Sequence, residues 1–227
     1  MRKGQRRRRV RFGVLIAVLF VLTAVRAGAQ SAVPDGEWRA FGRDGANTKY
    51  SPLDQITAEN FTDLKIAWRW TSLSKAVVDS NERIRTRGFR ATPLMVGGLV
   101  YVVTALGQVA ALDAATGDLV WDYDPRIYDY LERPPNVGWH HRGLSYWDDP
   151  DSDDARIFIA SHDLRLVALN ANTGRTYPDF GSDGYVDLGS GDGFEREVDR
   201  SRMTYSSPVA IIGDTVIVGS IIQDTLL

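Results

Sequence analysis

The sequence predicts an all-β protein with the architecture of a β-propeller, and two observations carry this prediction. Short runs of β-branched and aromatic residues alternate with Gly, Asp and Asn turns along most of the chain, a pattern typical of closely spaced strands. Two stretches of similar pattern also follow one another, and Asp113 and Asn170 occupy equivalent places 57 residues apart. Each stretch contains about four strand-like runs, and four-strand units at a period of about 50 residues indicate propeller blades.

The repeat sets the expected organisation of the chain. A segment that leads into the propeller is followed by an early strand, two complete units and the opening of a third. These are residues 30–63, 64–71, 91–125, 142–188 and 203–227, the last four forming a partial propeller over 64–227. The early strand is expected to be the outer strand of a final blade, which closes the ring. Two blades, part of a third and one strand do not complete a ring, so we expect the sequence to be a fragment of a longer protein.

The first 29 residues are predicted to be a secretory signal peptide. A basic stretch ending at Arg11 precedes an apolar run over residues 13–25, and Ala27-Gly28-Ala29 supplies the small residues of a cleavage site. That run is shorter than the roughly 20 residues of a membrane-spanning helix. The sequence therefore predicts a periplasmic or secreted protein. An uncleaved anchor, and with it membrane association, is the alternative.

Charge and cysteine content exclude several classes of function. The formal net charge is −2, but residues 1–29 carry eight Lys/Arg and no Asp/Glu, so the remainder holds 19 basic against 29 acidic residues, a balance of −10. An acidic surface repels nucleic acid, and we expect no nucleic-acid partner. Because the chain has no cysteine, disulfides, thiolate metal sites and cysteine nucleophiles are excluded.

A motif in the first unit resembles the tryptophan-docking motif of quinoprotein propellers. The run Ala111-Leu-Asp113-Ala-Ala-Thr116-Gly117-Asp-Leu-Val-Trp121 has every defining position of A-x-D-x-x-T-G-x-x-x-W. Asp and Thr can satisfy the backbone of a tight turn, Gly permits a positive φ, and Trp stacks on a turn of a neighbouring blade. In the second unit Asn170 replaces Asp and Pro178 stands where Trp is expected. That departure predicts one weaker contact between blades.

Four further stretches resemble the family of dehydrogenases that depend on pyrroloquinoline quinone (PQQ) and oxidise alcohols or glucose. They are Trp38-Arg-Ala-Phe-Gly-Arg-Asp-Gly-Ala-Asn-Thr-Lys-Tyr, Arg142-Gly-Leu-Ser-Tyr-Trp147, Tyr177-Pro-Asp-Phe-Gly and Ser206-Ser-Pro208. The resemblance implies an eight-bladed quinoprotein propeller. It also implies oxidation of an alcohol or sugar hydroxyl with PQQ and Ca²⁺ or Mg²⁺, and transfer of electrons to a quinone or a cytochrome.

The resemblance also implies which residues bind the cofactor. In the family the arginine of the R-G-x-x-Y-W motif lies beside the quinone, and here that arginine is Arg142. His140 and His141 precede it, where some members have a vicinal disulfide as one wall of the cofactor site. Because cysteine is absent, an imidazole or the Trp139 ring is expected to form that wall. The alternatives are an ordinary surface ion pair for Arg142 and loop histidines without a special task.

The third unit is expected to supply the remaining site residues. Tyr205 and Ser206 stand where the family has a hydroxyl that hydrogen-bonds to PQQ, although relatives often have Thr-Ser there. Asp224 follows an inner strand, at the place of a family metal ligand, and a carboxylate suits Ca²⁺. The alternative for Asp224 is a polar turn residue. The base that removes the substrate proton is an aspartate expected beyond Leu227, so the fragment is expected to be inactive alone.

A non-enzymatic quinoprotein-like propeller, such as a scaffold of outer-membrane assembly, is the competing interpretation. Such proteins share the docking motif, so that motif alone favours neither function. The run Arg142-Gly-Leu-Ser-Tyr-Trp147 and the acidic Asp224 favour the enzyme. The acidic stretch over residues 148–154 lacks the pattern of a calcium loop and is predicted to be a hairpin tip.

Overall fold

The computed structural model describes residues 33–131, 135, 138–190 and 200–222. The predicted signal peptide, residues 1–29, and the predicted metal ligand Asp224 lie outside these residues. Twelve strands are described: β1 Leu94–Val96, β2 Leu99–Val103, β3 Val109–Asp113, β4 Leu119–Tyr123, β5 Ser145–Asp148, β6 Ala155–Ala160, β7 Arg165–Asn170, β8 Tyr185–Asp187, β9 Met203–Thr204, β10 Ala210–Ile212, β11 Thr215–Ile217 and β12 Ile221–Ile222.

The first two units fold as the sequence predicts. Strands β1 to β4 form one four-stranded antiparallel sheet in chain order, and β5 to β8 form a second sheet of the same order. The acidic run predicted as a hairpin tip is the connection between β5 and β6, closed by a 2.9 Å hydrogen bond from Asp149 N to Asp154 O. The third unit is described as two pairs, β10 with β11 and β9 with β12. This arrangement confirms the prediction of a partial propeller.

The two four-stranded sheets pack face to face because their central strands are apolar on both faces. In β6, Ile157 and Ile159 lie in a core that joins the first sheet to the second, whereas Phe158 and Ala160 pack towards the third unit. Side chains alternate across a strand, so a strand between two neighbouring sheets must be apolar at every position. This explains the unbroken apolar run Ile157-Phe-Ile-Ala160 in the sequence.

Short helices lie beside the sheets. Helix α1 spans Ser74–Ser80 and α2 spans Ile127–Tyr130, and 3-10 turns lie at Phe61–Asp63 and Arg200–Arg202. Ser74 Oγ donates a buried 3.0 Å hydrogen bond to Gln108 Oε1, which fixes α1 against the β2–β3 turn. Among the residues that the structure describes, no helix is long and apolar enough to cross a membrane.

Tryptophans dock on the turns that end the third strand of each sheet. Trp121 Nε1 donates a 2.9 Å hydrogen bond to Ala171 O, and its ring lies against Gly174, where a Cβ would be 2.5 Å from Cε3. Trp68 makes the equivalent contact on the first sheet: its Nε1 donates a 3.0 Å hydrogen bond to Ala114 O, and its ring lies against Gly117. The stacking predicted for Trp121 is therefore observed. The equivalent role of Trp68 was not predicted.

Residues 64–71 carry Trp68 but pair with no strand in the described part of the chain. Their role as the strand that closes the ring stays a prediction. What the structure adds is that they cover the outer face of the first sheet, where Trp68 and Trp70 pack against Val102 and Leu112.

Candidate functional site

The strand register separates the two ends of the sheets. Both docking turns, after Asp113 and after Asn170, lie at one end. The turns over residues 104–108 and 161–164 lie at the other, where β1 and β5 begin. We call the residues before β1, β5 and β10, at 84–92, 138–144 and 203–208, the lead-in segments. The candidate site residues fall on the lead-in segments, at the end opposite the docking turns.

The lead-in segments run side by side and hold Arg142 in the middle. Thr92 N donates a 2.9 Å hydrogen bond to Arg142 O, and Arg142 N donates a 2.7 Å bond to Ser206 O. One arginine backbone thereby links the first, second and third units. Gly143 is needed beside it because its φ is +155°, and a Cβ there would lie 3.1 Å from Pro208 Cγ.

The Arg142 side chain is exposed and has no acidic partner among the described residues. Some other arginines are paired with carboxylates: Arg156 lies 2.5 Å from Asp154, Arg126 lies 2.7 Å from Asp129, and Arg39 contacts Glu37 and Asp148. The alternative of an ordinary surface ion pair therefore has no support in the described residues. A guanidinium offers a planar fork of donors to an anion.

The three histidines of the protein pack together beneath this arginine. The His162 ring lies 5.8 Å from the His141 ring and 6.5 Å from the His140 ring, and Trp139 meets it edge-on at 5.6 Å. His141 Nε2 lies 3.1 Å from Ala160 O, and His162 Nδ1 lies 3.1 Å from Thr204 Oγ1. The predicted loop histidines are thus almost fully buried, at 5% and 1% exposure for His140 and His141.

Burial keeps these imidazoles neutral. It lowers the pKa of His141 to about 4 and that of His162 to about 3, because a charged ring would lose its hydration. Burial also lowers the pKa of His140, and the nearby positive charges of Arg90, Arg142 and Arg87 add to this effect. The cluster is therefore neutral at pH 7. It presents flat rings with polar nitrogen atoms at their edges and carries no positive charge.

Tyr205 and Ser206 are both buried beside the Arg142 backbone. Tyr205 packs in the core between the second and third units, and burial raises the pKa of its phenol. Ser206 is fully buried, and its Oγ has no hydrogen-bond partner among the residues that the structure describes. Native proteins rarely leave buried polar atoms unpaired, and such atoms often mark a site that a ligand or water completes.

Within the described ranges, no group of three His, Asp or Glu side chains has the arrangement of a metal site. The histidine cluster is therefore not a metal centre of its own. Asp224, the predicted ligand, lies outside these ranges. Arg142, His140, His141, Tyr205 and Ser206 are brought to one end of the sheets, and their roles towards a cofactor stay predictions.

A comparison with protein families shows to which family this fold belongs. Residues 38–226 match the model described as PQQ, glucose/ethanol/alcohol dehydrogenase, β-propeller domain. The chain belongs to this family. Its membership in the PQQ dehydrogenases confirms the resemblance inferred from the docking motif and from Arg142-Gly-Leu-Ser-Tyr-Trp147.

Individual relatives of the chain agree with the family match. It is 36% identical to the dehydrogenase subunit of a quinone alcohol dehydrogenase from Gluconobacter oxydans, over 67% of the chain and 18% of the relative. It is 31% identical to quinoprotein glucose dehydrogenase A from Acinetobacter calcoaceticus, over 87% of the chain and 26% of the relative. The chain thus spans about a fifth to a quarter of these relatives.

Solved structures show the same likeness. A quinohemoprotein alcohol dehydrogenase from Comamonas testosteroni is 29% identical with a TM-score of 0.58, covering 81% of this chain and 23% of that one. A europium-containing methanol dehydrogenase is 25% identical with a TM-score of 0.58, covering 82% and 28%. The partial propeller of this chain therefore corresponds to part of the larger fold of these two structures.

A cleft of about 240 Å³, lined in part by His162 of the histidine cluster, opens at the same end of the second sheet. Its charges are satisfied internally: Tyr130 donates a 2.7 Å hydrogen bond to Asp163, Arg165 lies 3.1 Å from Asp163, and Arg200 pairs with Asp187. The cleft therefore offers no unpaired charge to a ligand. Arginines without an acidic partner among the described residues lie instead on the lead-in segments, at Arg87, Arg90 and Arg142.

Sequence reasoning missed two residues at this end. Arg87 and Arg90 lie on the first lead-in segment, next to the one that carries Arg142, and both are exposed. No motif includes them. The signal available in the sequence was the density of arginine in residues 83–90, within a chain that is otherwise acidic.

Proposed function

We propose that this chain forms one edge of the PQQ site of a dehydrogenase that oxidises an alcohol or sugar hydroxyl. The observation that carries the proposal is Arg142, whose backbone is fixed between two lead-in segments while its guanidinium is exposed without a carboxylate partner among the described residues. PQQ is a flat tricarboxylated ortho-quinone, and its oxygens require cationic donors. Family membership supports PQQ over other anions.

The residues around Arg142 are suited to binding PQQ. Ser206 Oγ is a buried polar atom without a partner in the described part of the chain, as expected where a bound molecule completes the hydrogen bonding. His140, His141 and Tyr205 line the same end with flat, uncharged rings, which suits a planar cofactor. When bound, PQQ supplies the chemistry of the reaction because it accepts the two electrons of the substrate C–H bond.

The metal ligand, the catalytic base and the electron acceptor belong to the whole protein. Asp224 would ligate the divalent ion, Ca²⁺ or Mg²⁺, through hard carboxylate oxygens. An aspartate beyond Leu227 would remove the hydroxyl proton of the substrate, and a quinone or cytochrome would receive the electrons. The location would be the periplasm or the outside of the cell. The 227-residue chain would bind without turning over.

Cofactor binding by the full chain tests the proposal. Titration of PQQ in calcium buffer, followed by quenching of tryptophan fluorescence and by calorimetry, should give a Kd that Arg142→Gln weakens about tenfold or more, since a charged hydrogen bond contributes about 1.5–3 kcal/mol. The matched control is Arg175→Gln, an exposed arginine beside the docking turn at the opposite end of the second sheet. That variant should bind like the parent chain.

Two results would contradict this function. Absence of PQQ binding, or equal binding by the two variants, would favour the non-enzymatic scaffold. Robust reduction of a redox dye by the PQQ-loaded chain with an alcohol or glucose would contradict the separate proposal that it does not turn over.

A further inference from the structure

A cluster of three arginines, Arg87, Arg90 and Arg142, forms where two lead-in segments meet. Arg87 N donates a 2.9 Å hydrogen bond to Trp139 O, and Thr92 N donates one of 2.9 Å to Arg142 O. These bonds align the two backbones over several residues. They bring arginines 52 or more positions apart in sequence to the same end of the molecule, and only Arg142 belongs to a recognised motif.

The side chains of the two additional arginines are partly fixed. Arg90 Nε donates a 3.2 Å hydrogen bond to Arg87 O, which leaves the two Nη groups of Arg90 to bind elsewhere. The Arg87 side chain lies over the second lead-in segment, because a Cβ at Gly138 would be 2.6 Å from Arg87 Nε. Both guanidiniums lie near enough to His140 to disfavour its protonation, as does that of Arg142.

This gathering of like charge has no counterion in the described part of the chain. None of the three guanidiniums forms an ion pair there, whereas Asp or Glu contacts Arg39, Arg126, Arg156, Arg165 and Arg200. Other exposed arginines, such as Arg69 and Arg175, also have no ion pair among the described residues, but only these three lie together around His140. Unpaired like charges repel one another and lower stability. A site that keeps three of them together in an otherwise acidic chain has the electrostatics of a receptor for a multivalent anion.

We propose that Arg90 binds a carboxylate of PQQ through its two free Nη groups, with Arg87 fixing its orientation. This inference rests on the proposed function and extends it. Arg142 alone supplies one cation, whereas the cofactor carries several carboxylates on one flat frame. A second guanidinium on the neighbouring lead-in segment gives the bidentate geometry that suits a carboxylate.

The experiment compares PQQ with its trimethyl ester, which keeps the quinone ring and lacks the negative charges. The full chain and its Arg90→Gln, Arg90→Lys and Arg175→Gln variants are titrated with each compound by fluorescence quenching. We expect Arg90→Gln to weaken PQQ binding about tenfold and Arg90→Lys about threefold, because lysine keeps the charge and loses the fork. Binding of the ester should be equal for all four proteins.

The salt dependence of the PQQ Kd supplies a second measurement. It should be less steep for Arg90→Gln than for the parent chain, because one fewer charge is involved. Without PQQ, Arg90→Gln should not lower the unfolding temperature and should raise it slightly, since the side chain is exposed, makes one local hydrogen bond and adds to the repulsion among the three arginines.

The outcomes separate this inference from the function on which it rests. If Arg90→Gln binds PQQ as the parent chain does while Arg142→Gln is weakened, the role of Arg90 is wrong and the proposed PQQ site stands. An equal loss of PQQ and ester binding by Arg90→Gln would also overturn the inference, because the carboxylate would not be the group recognised. If the parent chain binds neither compound, both proposals are wrong.

Discussion

At the scale of single residues, two glycines show why the docking motif requires its residue types. Gly117 and Gly174 have φ values of +78° and +70°, and at each a Cβ would come within 2.5 Å of a tryptophan ring atom. Two separate penalties therefore act against any other residue: the left-handed backbone and the clash with Trp68 or Trp121. The motif combines Gly with a distant Trp because the ring fills the space that a side chain would take.

Replacing Gly174 with alanine should measure the two penalties together. The control is Gly97→Ala, at φ +57° with nothing within 4 Å of the added methyl, which isolates the cost of the backbone. We expect the free energy of unfolding to fall by about 1 kcal/mol for Gly97→Ala and about 3 kcal/mol for Gly174→Ala, measured by urea denaturation. If both variants lost the same free energy of unfolding, the close approach of Trp121 to position 174 would not contribute to the penalty.

At the scale of elements, the second docking turn keeps the hydrogen bonds of the first, whereas the weaker contact between blades predicted from Asn170 and Pro178 stays a prediction. Asn170 Oδ1 accepts 3.0 Å bonds from the N–H groups of Asn172 and Thr173, much as Asp113 Oδ1 accepts two such bonds in the first sheet. Its Nδ2 group adds a 3.0 Å bond to Tyr177 Oη. The turn is intact.

Restoring the consensus residue should therefore destabilise the turn. Tyr177 Oη donates a 2.5 Å hydrogen bond to Asp154 and accepts one from Asn170 Nδ2. Because the hydroxyl proton of Tyr177 is already donated to Asp154, an aspartate carboxylate at position 170 would lie against the Tyr177 oxygen without a hydrogen bond between them. We expect Asn170→Asp to lower the free energy of unfolding by about 1 kcal/mol at pH 7. In a Tyr177→Phe background this penalty should shrink, and a double-mutant cycle in urea measures the difference. A stabilising Asn170→Asp would contradict the assignment.

Strands and blades were predictable because their signals are local. The alternation of apolar residues and the glycine turns predicted the two four-stranded sheets, and the docking motif predicted the ring contact of Trp121. Arg87 and Arg90 were missed because the lead-in segments have no periodic pattern and meet only through hydrogen bonds between units. The burial of His140 and His141 was missed for the same reason, since the neighbours that cover them include His162 on a distant turn.

At the scale of the whole molecule, the two ends of the sheets differ in the residues that they carry. Tryptophans at the docking end join the units, and Ala171 O accepts bonds from both Trp121 Nε1 and Tyr101 Oη of the first sheet. The lead-in end carries Arg87, Arg90 and Arg142, which have no acidic partner among the described residues, beside the neutral His140. The docking end thus joins the units through side chains, whereas backbone hydrogen bonds between lead-in segments bring the arginines together.

All histidine titration of the protein occurs in this one buried cluster, so stability should depend on pH between about 4 and 6.5. Unfolded histidine has a pKa of 6.5, whereas burial lowers the pKa of His162 to about 3 and that of His141 to about 4. The unfolded chain therefore binds more protons in this window, and the stability present above pH 6.5 is lost as the pH falls. Carboxylates with lowered pKa values, such as Asp113, Asp154 and Glu59, add to this loss mainly below about pH 5, since their ordinary pKa values are 3.8 and 4.5.

Replacing His162 with asparagine should flatten this dependence, because the amide can keep a contact with Thr204 Oγ1 and does not titrate. Between pH 6.5 and 5 the parent chain should lose about 2 kcal/mol more of its unfolding free energy than His162→Asn, from about 1.4 kcal/mol per pH unit for one neutral histidine. The control is Thr204→Val, which removes the same hydrogen bond but keeps the imidazole, and should be less stable at every pH with the parent's slope. Urea denaturation at half-unit pH steps makes the comparison, and identical slopes for His162→Asn and Thr204→Val would show that His162 does not govern the acid response.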